Sequence, residues 1–144
     1  MAIDFYRKKK GCKDVHLKTM SYTHFNLSRG YWMACYDMSY AREWLHFRKD
    51  DPSIIKCPDR VRPLFSVCDC DGRLLNRELK GIVKEIKSLA EFSDPTLLEK
   101  KYHRDSLFND EILKNVCTLR RNDALALVTM FEEAAKNGGR LEWF

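Results

Sequence analysis

Residues 76–89 read Asn-Arg-Glu-Leu-Lys-Gly-Ile-Val-Lys-Glu-Ile-Lys-Ser-Leu, and their apolar positions recur at helical spacing. On a helix of 3.6 residues per turn these positions form one stripe, made of Leu79, Ile82, Val83, Ile86 and Leu89. Burying five such side chains, each worth about 1.5–3 kcal/mol, is enough to dock a helix on a core. The sequence therefore predicts an amphipathic helix that begins near Asn76, an amide side chain suited to capping it.

Two further helices are predicted after this segment. Asp94-Pro95 combines a capping residue with a proline at the first helical position, which predicts a short helix to about Tyr102. Asn109 or Asp110 is expected to open the next helix, which runs through Leu119. The region after residue 75 is thus expected to be mostly helical.

The C-terminal region is predicted to hold one more helix and a strand. Asn122-Asp123 is expected to begin the helix, and Lys136-Asn137-Gly138 to close it, because Asn and Gly tolerate the left-handed backbone conformation. Residues 141–144, Leu-Glu-Trp-Phe, then form a predicted strand. Ending on two aromatic residues indicates a terminus that is packed against the fold.

The region before residue 70 favours strands. Val15–Thr19 alternates apolar and polar residues, Tyr22–Leu27 is rich in β-compatible residues, and Leu64–Cys68 is a short apolar run, so each predicts a strand. Tyr31–Tyr36 fits either a strand or a helix. A helix is expected over about 37–48, capped by its first residue.

Strands first and helices after them predict an α+β fold, with N-terminal antiparallel strands packed against a predominantly helical C-terminal half. At 144 residues the chain has the size of one domain. We expect a single domain over 1–144, strand-rich over about 1–70, helix-rich over about 71–137, with a terminal strand over about 140–144.

Cysteine usage depends on the compartment. No apolar segment reaches the roughly 18 residues of a membrane span, and the N-terminal region does not resemble a secretory signal. The expected location is cytoplasmic, with no membrane partner. In that reducing setting we expect free thiols at all six cysteines, namely Cys12, Cys35, Cys57, Cys68, Cys70 and Cys117.

Positive charge is concentrated at the N-terminus. The chain carries a net charge of +5, and residues 1–30 hold seven basic and two acidic residues, which accounts for the whole excess. Interleaved aromatic residues add rings to these cations, a combination typical of surfaces that bind single-stranded nucleic acid. The alternative is a solvated, solubilising arm. The predicted partner-binding residues are Arg7, Lys8, Lys9, Lys10, Lys13, Lys18, Tyr22 and Arg29.

These features favour a non-enzymatic binding or regulatory protein that contacts nucleic acid or an acidic protein surface. No glycine-rich phosphate loop or convergent catalytic set is present in the sequence, and no cofactor is expected. The small size favours an accessory or inhibitor protein of a phage or mobile element.

The alternative is a small hydrolase-like enzyme built on one turn. Residues 65–72, Phe-Ser-Val-Cys-Asp-Cys-Asp-Gly, resemble the Asp-x-Asp-Gly motif of haloacid-dehalogenase-like phosphatases. The resemblance implies Asp69 as nucleophile and Asp71 as acid/base. Apart from the resemblance, the alternative enzyme would use Asp69 or Asp71 as an acid/base, with or without the help of a metal. However, Arg73 replaces the usual threonine, and helices are predicted where that fold has further parallel strands. Residues 67–78 also resemble an EF-hand loop, except that Val67 stands at the first calcium-ligand position.

Cys68 and Cys70 are a second feature of the same turn. Their spacing would place both thiols on one face of a strand, where they could chelate a soft metal with further ligands. Zinc sites more often separate paired cysteines by two residues, and no second Cys or His pair has ligand spacing. The sequence therefore predicts no metal site, with this pair as the alternative.

Overall fold

A computed structural model describes residues 2–47, 51–104 and 110–144. Helices and strands follow one another as β1 Ala2–Lys8, β2 Val15–Ser21, α1 Tyr22–Tyr36, α2 Met38–Phe47, a 3-10 turn Pro52–Ile54, α3 Arg62–Ser66, β3 Gly72–Leu74, α4 Asn76–Ser88, α5 Ala90–Ser93, α6 Thr96–Arg104, α7 Glu111–Leu119, α8 Arg121–Ala135, a 3-10 turn Lys136–Gly138 and β4 Arg140–Trp143. The fold is α+β, as predicted. In the described segments no helix is long and apolar enough to cross a membrane.

The strands form one four-stranded antiparallel sheet in the order β2-β1-β4-β3. The two central strands therefore come from opposite ends of the chain. A register shift between Phe5 and Tyr6 marks a bulge in the pairing of β1 with β2. Side chains alternate between the two faces of each strand, so this register decides which ones meet the helices.

The inner face of the sheet forms part of the core. Phe5 and Trp143, paired across β1 and β4, are fully buried, and both rings contact Phe25 of α1. The centroids of Phe5 and Phe25 lie 5.3 Å apart. Helix α8 packs on β1, β2 and β4, and α4 packs on α8 and β4. The helices thus form a layer on one side of the sheet.

The predicted strand at Tyr22–Leu27 is wrong, because these residues open helix α1. The Ser21 hydroxyl accepts a hydrogen bond from the His24 backbone N–H at 3.0 Å, which caps the helix. Phe25 and Trp32, seven residues apart and therefore on one helix face, are both completely buried. Burial of this face outweighs the weak strand preference of the individual residues. The undecided segment Tyr31–Tyr36 lies in the same helix.

The predicted strand at Leu64–Cys68 is also wrong. Arg62–Ser66 form the short helix α3, and a loop then leads to the strand β3 at Gly72. Strand β1 was not predicted at all, although its burial alternates over Ala2–Phe5. In contrast, the α4 stripe, the Asp110 cap and the terminal strand are confirmed. The predicted left-handed residues are also confirmed, with φ of 57° at Asn137 and 80° at Gly138.

Candidate binding surfaces

The face of the sheet that points away from the helices carries aromatic rings at its centre. Tyr6 on β1 and Phe144, which follows β4, stack with ring centroids 5.3 Å apart and planes inclined by 16°. His16 on β2 meets the Tyr6 ring edge-on at 5.3 Å. Phe144 keeps 61% of its surface exposed. We call this surface the outer face, and its members are Asp4, Tyr6, Lys8, His16, Thr19, Arg73, Arg140, Glu142 and Phe144.

Charges surround the rings on this outer face. Asp4 accepts hydrogen bonds from Thr19 and His16, and these contacts, with the one from Thr19 foremost, lower the pKa of the Asp4 carboxyl. Arg140 pairs with Glu142 at 3.0 Å. Arg73 is exposed, and within the described residues no ion pair involves it. The outer face therefore has both paired and unpaired cations beside its rings.

Three of the predicted contact residues extend this basic surface. Lys9, Lys10 and Lys13 lie in the exposed connection between β1 and β2, and no ion pair to another described residue involves them. Lys8 lies at the end of β1, pairs with Asp14 at 3.5 Å and places its ammonium 5.4 Å from the centre of the Phe144 ring. These lysines, with the outer face, make one continuous candidate surface.

The other predicted contact residues lie elsewhere. Arg7 and Lys18 are half-buried and pair with Leu141 and Phe5, respectively, on the helix side of the sheet. Tyr22 is half-buried against the core at the start of α1. Arg29 is only 3% exposed. The structure thus separates these four residues from the exposed lysines.

Sequence reasoning missed His16, Arg73, Arg140 and Phe144 as members of a surface. No local cluster of charges or rings groups these four residues in the sequence, and three of them lie far from the basic N-terminus. One signal could have found two of them. On a strand over residues 140–144, side chains alternate between faces, which places Arg140 and Phe144 on the face opposite to that of Leu141 and Trp143.

Arg29 is a buried cation in the helical layer. Its guanidinium donates to the carbonyl oxygens of Val67 at 2.7 Å and Leu64 at 3.4 Å, and to the Asn26 amide oxygen at 2.6 Å. Its Nε is buried without a hydrogen-bond partner in the described part of the chain. Burial lowers the pKa of Arg29 to about 10, so the group stays charged at neutral pH. Arg29 therefore ties α1 to the segment that follows α3.

The loop 67–71 is fixed at several points by such contacts. The Trp143 indole donates to the Cys68 carbonyl oxygen at 3.0 Å, and the Asn26 amide donates to Asp69 Oδ2 at 2.8 Å. The loop ends at Gly72, which packs directly against the Trp143 ring. Arg29, Asn26 and Trp143 thus hold the loop from two different elements, α1 and β4.

Gly72→Ala is expected to lower the free energy of unfolding by about 1–3 kcal/mol, a typical cost of overpacking. An added Cβ would lie 2.6 Å from the Trp143 ring, which is itself buried and cannot move away freely. Urea denaturation measures the change. Gly81→Ala, where the nearest atom would be at an ordinary 3.5 Å, is the matched control and is expected to be neutral or stabilising. Equal stability of the two variants would contradict the close packing.

Three potential metal-ligating groups meet in this loop. One sulfur or carboxylate oxygen from each of Cys68, Asp69 and Cys70 lies within 4.8 Å of the others. The Cys70 thiol donates to Asp69 Oδ1 at 3.3 Å, and the Cys70 backbone N–H donates to the Cys68 sulfur at 3.4 Å. The bond to Asp69 raises the pKa of Cys70 to about 11. Both cysteines are exposed and free, and they lie in a loop, whereas the sequence placed them on a strand.

The two aspartates of the alternative enzymatic hypothesis are placed differently. Asp69 is half-buried, and its hydrogen bond from Asn26 lowers the pKa of its carboxyl, which favours the ionised form. Asp71 is exposed. The ionised form is the one that a carboxylate nucleophile or cation ligand needs, whereas a general acid needs a raised pKa, so the lowered pKa of Asp69 does not suit it to delivering a proton.

A cavity of about 510 Å³ adjoins the same loop. Asn26 and Arg29 of α1, Trp44 of α2, and Cys68 and Asp69 of the loop are among the residues that line it. The Trp44 ring centre lies 5.3 Å from the Arg29 guanidinium carbon. The cavity is thus bounded by a cation, a carboxylate and a thiol.

Comparisons with protein-family models, with curated proteins and with solved structures found no match to this chain. Two regions of the described residues carry the chemistry that bears on function: the outer face with the lysine-rich connection between β1 and β2, and the loop 67–71 with its cavity.

Proposed function

We propose that this protein is a binding protein that holds single-stranded nucleic acid across the outer face of its sheet. The observation that carries the proposal is the stacked pair of Tyr6 and Phe144 on the solvent side of the two central strands. No catalytic step and no cofactor are part of this proposed activity.

The rings supply the stacking surface. Unpaired bases stack on aromatic side chains because every base has a π-face, and each such contact is worth about 1–3 kcal/mol. Four-stranded sheets that bind RNA use aromatic residues on their strands in this way. Tyr6 and Phe144 offer two adjacent rings, and His16 extends the surface towards the edge strand β2.

The cations supply phosphate contacts on both sides of the rings. Arg73 lies towards the β3 edge of the sheet and Lys8 close to Phe144. Lys9, Lys10 and Lys13 lie beyond Lys8 in the exposed hairpin connection. Phosphates neutralised by such groups release counterions, so binding is favoured at low salt.

The same surface fits single strands better than an acidic protein. An acidic partner would use the lysines, but it has no need of a stacked aromatic pair between them. A duplex would hide its base faces and leave the rings without a function. Binding to an acidic protein surface is therefore the competing outcome that the experiment has to distinguish.

The test is fluorescence anisotropy with labelled single-stranded RNA and DNA of about 12 nucleotides, within the range of single-strand binding sites, over a series of salt concentrations. A duplex of the same sequence and a polyglutamate peptide are the competitors. We expect the single strands to bind best and the affinity to fall steeply with salt. Equal binding of polyglutamate would favour the acidic-partner alternative, and absence of binding to every polyanion would refute the proposal.

Reversal of Lys9, Lys10 and Lys13 to Glu is expected to lower the logarithmic salt slope by about 2, since each lost phosphate contact removes about 0.7 from the slope for single strands. The three side chains are exposed, so the free energy of unfolding should change by less than about 0.5 kcal/mol per residue.

The matched control reverses three exposed lysines of the helical layer, Lys80, Lys84 and Lys114. It changes the net charge by the same amount on α4 and α7, away from the hairpin. If both triple variants lose affinity equally, the lysines act through total charge and the hairpin has no specific role.

A further inference from the structure

We propose that Cys68, Asp69 and Cys70 form a zinc-binding site, separate from the outer face and independent of nucleic-acid binding. One ligand atom from each residue lies within 4.8 Å of the other two, which is close enough for all three to reach one ion. Two thiolates and one carboxylate are ligands that zinc accepts in tetrahedral geometry.

The ligand loop is held in place by groups outside it. Trp143 bonds the Cys68 carbonyl oxygen, Arg29 bonds the Val67 carbonyl oxygen, and Asn26 bonds Asp69 Oδ2. Because Asn26 bonds Oδ2, the other carboxylate oxygen of Asp69, Oδ1, faces the cysteines. Oδ1 accepts a hydrogen bond from the Cys70 thiol at 3.3 Å. Such outer contacts orient metal ligands and strengthen binding in known sites.

Arg29 is a buried cation beside this loop, and it interacts electrostatically with the Asp69 carboxylate. This guanidinium is 3% exposed, its Nε has no hydrogen-bond partner among the described residues, and its bonds go to neutral oxygens. Two thiolates and a carboxylate carry three negative charges against the two positive charges of zinc. The metal complex would therefore carry one negative charge, the same charge that Asp69 alone presents to Arg29, so zinc binding would keep the buried cation balanced.

Three protein ligands leave one of the four zinc positions for water or another donor. Cys68 and Asp69 also line the cavity beside Trp44 and Arg29. A molecule in this cavity therefore has access to the metal from the protein side. The site resembles an open zinc site more closely than a closed structural one.

The test is titration of the reduced full chain with zinc by calorimetry, and with cobalt(II) by absorption spectroscopy. We expect one equivalent of zinc to bind with a dissociation constant of about 1 µM or tighter, and cobalt to show thiolate charge-transfer bands. Cys68→Ser and Cys70→Ser are each expected to weaken binding about 100-fold, and Asp69→Asn about 10-fold. Cys12→Ser, another exposed free cysteine, is the matched control and should bind as the wild type does.

Alkylation of the wild-type protein provides a readout that does not depend on variant folding. Zinc is expected to slow the modification of Cys68 and Cys70 and to leave that of Cys12 unchanged, as read by mass spectrometry of peptides. The proposal is overturned if the wild type binds no zinc, if both serine variants keep full affinity, or if Cys12 is protected equally.

Discussion

Arg29→Ala is expected to lower the free energy of unfolding by about 3 kcal/mol. The change removes the donor of three hydrogen bonds, to Val67, Leu64 and Asn26. The bond to Leu64 is buried and the other two are part-buried, and each such acceptor left without a partner costs about 1 kcal/mol. It also removes the guanidinium, whose carbon lies 4.5 Å from the centre of the Phe25 ring and 5.3 Å from that of the Trp44 ring. A midpoint decrease of roughly 10 °C would correspond to this loss.

Thermal and urea denaturation of Arg29→Ala measure the effect, with Arg77→Ala as the control. Arg77 is an exposed arginine on α4, and its removal is expected to change stability by less than about 0.5 kcal/mol. If Arg29→Ala lost less than about 1 kcal/mol, the cost of burying the guanidinium would offset its hydrogen bonds. Arg29 would then have no role in stabilising the loop 67–71, contrary to the contacts described above.

The combined change of Tyr6→Ala and Phe144→Ala is expected to weaken single-strand binding by at least about 30-fold. Each ring that stacks on a base is worth about 1–3 kcal/mol by alanine substitution, and 1.4 kcal/mol corresponds to a factor of ten. The rings lie outside the core on the outer face, so we expect the fold to remain. Anisotropy with the single-stranded oligonucleotide measures the loss at fixed salt.

Two variants separate stacking from other effects of these substitutions. Tyr6→Phe keeps the ring and is expected to retain affinity. Phe47→Ala removes a phenylalanine that is 79% exposed on α2, and it should leave binding unchanged. If the double alanine variant bound as the wild type does, the lysines alone would account for binding and the sheet would have no part in it.

The features that the sequence predicted correctly are those with a local cause. The α4 stripe needs only helical spacing of Leu79, Ile82 and Ile86, all of which are fully buried. The Asp110 carboxylate accepts from the backbone N–H groups of Ile112 and Leu113, two and three residues on, as a helix cap does. These interactions lie within a few residues and leave a clear pattern in the chain.

The exposed lysines of the β1–β2 connection were also predicted from the sequence, because charge density is a property of composition. Arg29, in contrast, was grouped with them although it is buried. A charged residue in sequence is normally exposed, and its burial depends on acceptors that α3 and the following loop provide 35 and 38 residues away.

By itself the sequence determined the fold class, the C-terminal helices and the site of the positive charge, because helical periodicity, caps and composition act over short distances. The tertiary structure alone decided that Tyr22–Leu27 are helical, since burial of Phe25 against the sheet outweighs a weak strand preference. It also decided that Tyr6 and Phe144, from opposite ends of the chain, stack on neighbouring strands. Strand pairing between distant segments sets that surface, and no local pattern encodes it.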